Sequence, residues 1–195
     1  MRDHEQPDVE RFDLFGSTFG LDDLGPDGLT RWLDLYDDDL FRRAVEPMVE
    51  VLNGGAGSFV EPRLTLAVFA MEALGYYLDQ SRKRNVALRD QIERCLDVPG
   101  VDWSAVGPPD QIAQALANVN NDLKHPDRGH RPGGLEMGLA ADLGIVILRL
   151  MFTHLLGVDD SAIKQFCRLS AFTKPLTAFD RNGVTIKDGR FAHTT

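Results

Sequence analysis

The sequence predicts an all-α protein: an antiparallel helical bundle with an irregular arm before it and a short extension after it. Three observations carry that prediction. Apolar residues recur at helical spacing through most of the 195 residues. Stretches rich in Gly and Pro fall between the periodic segments and mark their ends. A hydrophobic content of 43% with 26% charged residues is ordinary for a globular chain, and this length buries a core without disulfides or metals. The predicted organisation is an arm over 1–27, a bundle over 28–171 and an extension over 172–195.

The arm is rich in Asp, Gly and Pro, with Phe12, Leu14, Phe15, Phe19 and Leu21 as apolar handles for irregular packing. "GPDGLTRWLDLYDDD" offers a short helix with Leu29, Trp32, Leu33 and Tyr36 on one stripe. "DLFRRAVEPMVEVLNGG" predicts a helix that stops at Gly54-Gly55, with Pro47 as a point for a kink. Residues 58–82 form a long helix, apolar nearly all round, which places it in the middle of the bundle. Residues 84–97 are amphipathic, with Val86, Ile92 and Leu96 facing inward. "VPGVDWSAVGPPD" is a connection. Helices follow over 110–125, over 134–157, the most apolar, and over about 160–171. The extension carries Asn182-Gly183 and Asp188-Gly189 turn signals around "VTIK", consistent with a small hairpin or an unpaired tail.

Several classes are disfavoured at once. The N-terminus "MRDHEQPDVERFD" is charged and does not read as a signal peptide. Asp142, Arg149 and His154 interrupt the longest apolar run, so it reads as a core helix and no membrane span is expected. A net charge of −9 argues against a duplex DNA partner, which needs a basic face. Cys95 and Cys167 match no metal spacing and read as buried free thiols, which fits a reducing, cytoplasmic setting. "GGAG" at 54–57 has neither the following Lys-Ser/Thr nor the preceding strand of a P-loop. No cofactor or metal is expected.

The chemistry concentrates in "NNDLKHPDRGH", residues 120–130. In the helix leading to it, Ile112, Leu116, Val119 and Leu123 share a core-facing stripe. Gln114, Asn118, Asn121 and His125 form a polar stripe about half a turn away. Pro126 disfavours helical geometry at His125, which therefore sits at the helix tip. The loop beyond carries Arg128, His130 and Arg131, with Lys124 just before it. It leads to a helix start at Gly134-Leu135-Glu136, where free backbone N–H groups suit an anion. Histidine, cations and helix-end amides together suit a phosphodiester. Equally, asparagines, a proline stop and a charged loop are how many surface helices end.

"LANVNNDLKHPDRG", preceded by an apolar helix containing "AMEAL" and followed by a very apolar one, resembles the HEPN domain. The likeness runs from about "LTRWLDLY" to "LLG" and is nearest to the HEPN portion of ApeA-like bacterial anti-phage proteins. The resemblance implies a helical bundle that pairs as a homodimer and acts as a metal-independent endoribonuclease or toxin-like effector on RNA. Carried onto this chain, its motif assigns His125 as acid or base and Asn121 as the motif asparagine. Asn120 then stands where the family has arginine. Arginine there stabilises charge building on phosphorus, and losing such a donor typically slows a reaction by about 10²–10³-fold. Lys124, Arg128, Arg131 or His130 would have to supply that charge and hold substrate. The alternative is a degenerate HEPN module that binds RNA, a nucleotide or a protein partner without cleavage. A purely structural interaction domain is a third reading.

Glu72 lies among apolar neighbours, and the resemblance implies an orienting role toward His125, Asn121 or a loop arginine; otherwise it marks a narrow polar strip. Asp142 and Arg149 share a face, as part of a buried pair or an interface. His154 reads as a packed or capping residue, and His4 and His193 belong to no constellation. "SRKRNVALR" is the most basic stretch and reads as a solvated helix junction, with RNA backbone contact as the lesser alternative.

Overall fold

The computed structural model describes residues 21–52, 59–79, 81 and 85–194. Its main elements are helices α1 (Leu21–Tyr36), α2 (Asp39–Leu52), α3 (Val60–Leu78), α4 (Leu88–Cys95), α5 (Pro109–Lys124), α6 (Gly134–Leu155), α7 (Asp160–Phe166) and α8 (Ser170–Arg181). Strands β1 (Val184–Lys187) and β2 (Arg190–His193) close the order as an antiparallel hairpin. The all-α prediction holds, and of the two outcomes open for the extension the hairpin is the one found.

α3 is the hub. It packs against α2, α4, α5 and α6, and Leu64, Ala67, Val68, Ala70, Met71 and Leu74 are fully buried. Its neighbours α2 and α4 run antiparallel to it: Phe41 stacks edge-on against Tyr77, and Cys95 Sγ donates to the Met71 carbonyl at 3.4 Å. α6 departs from the antiparallel plan. Gly138 faces Val60, Asp142 pairs with Arg63, and Gly144 faces Ala67 and Met71, so α3 and α6 ascend together. Gly75 lets α4 approach α3 closely, since a Cβ there would collide with the Gln91 carbonyl oxygen. Asp79 closes the end of α3 by accepting from Ser81 N (2.9 Å) and pairing with Arg94 of α4 (3.2 Å).

Several predictions change in detail. The described part of the arm, from Leu21, is already helical, and α1 bends at Gly25 (φ 62°) ahead of Pro26. On α1 the expected stripe is only partly inward: Trp32 packs on the core with Leu35, while Leu29 and Leu33 are exposed. α2 passes through Pro47 as one helix. The predicted helix to 171 ends at Phe166, and a new one, α8, begins at Ser170 inside and beyond it. Phe172, Leu176 and Phe179 form its buried face. Phe12, Leu14, Phe15, Phe19, Gly54-Gly55, "GGAG", Arg82, Lys83, Arg84 and His4 lie outside the described residues. Arg89 pairs with Asp90 and Glu93 on an exposed helix face.

Cys95 is buried and Cys167 half-buried, and both are free thiols. Burial pushes both thiols above their ordinary pKa, in Cys95 against the opposing pull of Arg94. Neither is disposed to act as a nucleophile. Among the described residues no helix is long and apolar enough to cross a membrane.

Candidate functional site: the tip of α5 and its loop

α5 starts at Pro109, whose missing N–H costs nothing in a first turn, and it ends at Lys124. Ile112, Leu116 and Val119 are buried and Leu123 half-buried, as its apolar stripe predicts. His125 is the C-cap, with φ −123° and ψ 84°, the extended-side geometry that Pro126 imposes. Its backbone N–H donates to the Asn121 carbonyl at 2.9 Å, and its own carbonyl accepts from Arg128 N at 3.0 Å. The His125 side chain is exposed.

Asn120 points the other way. Five residues at 3.6 per turn set it about 140° around the helix from His125. It is 1% exposed, and its Oδ1 has no hydrogen-bond partner among the described residues. Asn121 is half-buried, one turn before the histidine. The structure therefore brings Asn121 and His125 to one side of the tip and sends Asn120 into the core.

The hairpin docks on α5 beside the polar stripe and engages part of it. Gly189 N donates to Gln111 Oε1 (2.6 Å), and Asn118 Nδ2 donates to the Gly189 carbonyl (2.8 Å). Gln114 Nε2 in turn donates to Asn118 Oδ1 at 3.1 Å. At the centre is Asp122, whose side chain is 0% exposed. One oxygen accepts from Arg128 Nε at 2.6 Å and the other from Arg190 at 2.8 Å. Burial alone would raise this carboxyl; hydrogen bonds from Arg190 and Arg128, reinforced by their charges, reverse that and hold it below its ordinary pKa.

Arg128 is thus an anchor between the loop and α5, with a weaker contact to Asn118 Oδ1 at 3.4 Å. His130 Nε2 lies 3.4 Å from Glu136 Oε2, which brings a carboxylate into the first turn of α6. That carboxylate competes with any external anion at the helix N-terminus. Lys124 and Arg131 are exposed and have no ion pair among the described residues. Glu72 is exposed on α3 and makes no hydrogen bond or ion pair among the described residues.

Sequence reasoning missed Asp122 and Arg190. Asp122 sits inside the quoted motif, one turn after Asn118, and was legible as part of the same polar face. Arg190 had no local signal, because its partner is 68 residues away.

What this tip can do chemically is present an exposed imidazole with two exposed cations, Lys124 and Arg131, beside a doubly bridged carboxylate. Among the described residues no cluster of three or more His, Cys, Asp or Glu could hold a metal ion. Comparison with family models, with curated proteins and with solved structures finds no match for this chain.

Proposed function

We propose that this chain is a HEPN-like helical module that binds the phosphate backbone of single-stranded RNA through the tip of α5 and its loop, without cleaving it. The burial of Asn120 carries this reading: the position at which the resemblance expects a charge-stabilising arginine is uncharged and turned into the core. Lys124, His125 and Arg131 remain as phosphate contacts, and Arg128, committed to Asp122, shapes the loop that carries them. A homodimer would bring two such tips together, as the resemblance implies.

Two backbone cations give a measurable signature. For a single strand, the log of affinity falls with log salt at about −0.7 per neutralised phosphate, so a slope of about −1.4 per protomer is expected. Anisotropy of a labelled single-stranded RNA across a salt series measures it. Replacing Lys124 and Arg131 together by Gln should flatten the slope; an unchanged slope would remove the tip as the binding face.

A second reading, an endoribonuclease with His125 as acid or base, draws on one observation. Arg128 and Arg190 both converge on Asp122, one turn before His125, and bring positive charge where Asn120 cannot. RNA shortened by the wild-type chain in the presence of chelator, and left intact by His125→Ala, would favour that reading over simple binding.

A further inference from the structure

We propose that the cleft between the start of α6 and strand β2 takes a guanine base of the RNA strand held at the α5 tip; this rests on the proposed RNA binding and adds a base preference to it. The cleft has a volume of about 200 Å³. Gly133, Leu135 and Glu136 line it from the loop and α6, and Val184, Phe191 and His193 line it from the hairpin. Its volume is smaller than that of pockets for drug-sized ligands and suits a single flat ring system. It also adjoins the cations of the tip. The chain from Arg131 to Gly133 reaches at most about 7 Å, so a phosphate on Arg131 and a base in the cleft can belong to one nucleotide.

The walls and the one carboxylate among the lining residues answer different parts of a base. Leu135 is 45% exposed, a large apolar side chain left open at the cleft. Phe191 is half-buried and stacks on Phe179, with ring centroids 5.7 Å apart at 25°. Phe191 and His193 are two apart on β2 and share a face of the strand, so two flat rings line the cleft. Unpaired bases bind proteins by stacking on such rings and by hydrogen bonds along the edge that base pairing would otherwise occupy. Glu136 supplies acceptors for that edge. Its side chain is 17% exposed, and its one side-chain polar contact among the described residues is Oε2 to His130 Nε2 at 3.4 Å, too long to use up its lone pairs. An ionised carboxylate only accepts, and its two oxygens lie side by side. Guanine offers two adjacent donors on its pairing edge, the N1–H and the 2-amino group; adenine, cytosine and uracil each offer one donor group. Glu136 also repels a phosphate from the cleft, so the phosphate stays with Lys124 and Arg131 and the base turns inward.

Fluorescence anisotropy on the full chain tests this, with a uridine nonamer whose central base is guanine, hypoxanthine, adenine, cytosine or uracil. The guanine strand should bind about tenfold more tightly than the adenine, cytosine and uracil strands, the scale of one bidentate contact to a base edge. Hypoxanthine, which is guanine without its 2-amino group, should lose most of that gain. Glu136→Gln should abolish the preference, because its amide presents one acceptor and one donor group. The readout is the ratio between strands, which removing a charge does not by itself change. Ala192 also lines the cleft, and Ala192→Leu, which fills it, should abolish the preference while the salt slope set by Lys124 and Arg131 persists. Equal binding of all five strands by the wild-type chain, or a guanine preference that survives in either variant, overturns the base pocket and leaves the RNA binding standing. Failure of every strand to bind overturns the RNA binding itself, and the pocket with it.

Discussion

Asn120 and Asp122 are two residues apart on α5 and resolve the problem of a buried polar group in opposite ways. Asp122 is fully buried but receives two charge-assisted hydrogen bonds, one from the loop and one from the hairpin. Asn120 is buried with an acceptor oxygen that no group of the described residues satisfies. An unsatisfied acceptor of this kind costs about 1–3 kcal/mol. Asn120→Leu is therefore expected to hold or raise stability, within about that range, in urea denaturation. Asn120→Arg, the substitution that would complete the family motif, should lower stability by about 3–5 kcal/mol, because it forces an unpaired charge into the core. If Asn120→Arg folded with undiminished stability, the position would open toward the tip; RNA cleavage gained by that variant would support a degenerate module, whereas cleavage by the wild-type chain would overturn the binding-only reading.

The elements show what periodicity can reveal and what it cannot. The apolar stripes of α3, α5 and α6 were legible because each is long enough to repeat its pattern over several turns. Most of α8 lies in the stretch read as the extension, and only Ser170 and Ala171 fall inside the helix predicted to 171. Its own signal, Phe172, Leu176 and Phe179 at helical spacing, was present, yet Pro175 and two threonines diluted it. At the hairpin, Asp188-Gly189 named the turn correctly: both residues have positive φ, at 50° and 66°, as a two-residue type I′ connection requires. Where the hairpin would dock could not be read, since Gly189 and Gln111 meet only after the chain has folded. Gly189 is also pressed against Gln114, and a Cβ there would overlap that side chain. Gly189→Ala should thus cost about 1–3 kcal/mol through crowding, and add left-handed backbone strain. Protection of the Thr194 and Gly189 amides against hydrogen exchange would report it: the variant should lose protection there while α3 keeps its own.

At the scale of the whole molecule, acid is the sensitive direction. Asp122, Asp102 and Asp159 are each held below their ordinary pKa. For Asp122 the arginines overcome burial; for the other two the cause is hydrogen bonds from Ser104, and from Ser161 and Ala162. A carboxylate depressed in the folded state stabilises it fully above the unfolded value of about 3.9, and loses that contribution as pH falls through the lower folded value. Tm should accordingly decline as pH drops below about 5. Asp122→Asn should flatten the decline while lowering Tm at neutral pH, which a thermal melt series at stepped pH would measure. An equal decline in both proteins would show that the bridged carboxylate does not anchor the fold.

The bridge from Asp122 to Arg190 has a consequence in time. On a ribosome, α5 is made 68 residues before the arginine that completes its polar face. At 5–20 residues per second that interval is roughly 3–14 seconds. Throughout it a nascent α5 carries a carboxylate without its distal partner, and the histidine tip beside it stays unfinished. Whatever the tip recognises, it can be presented in its final form only once nearly all of this sequence has been translated.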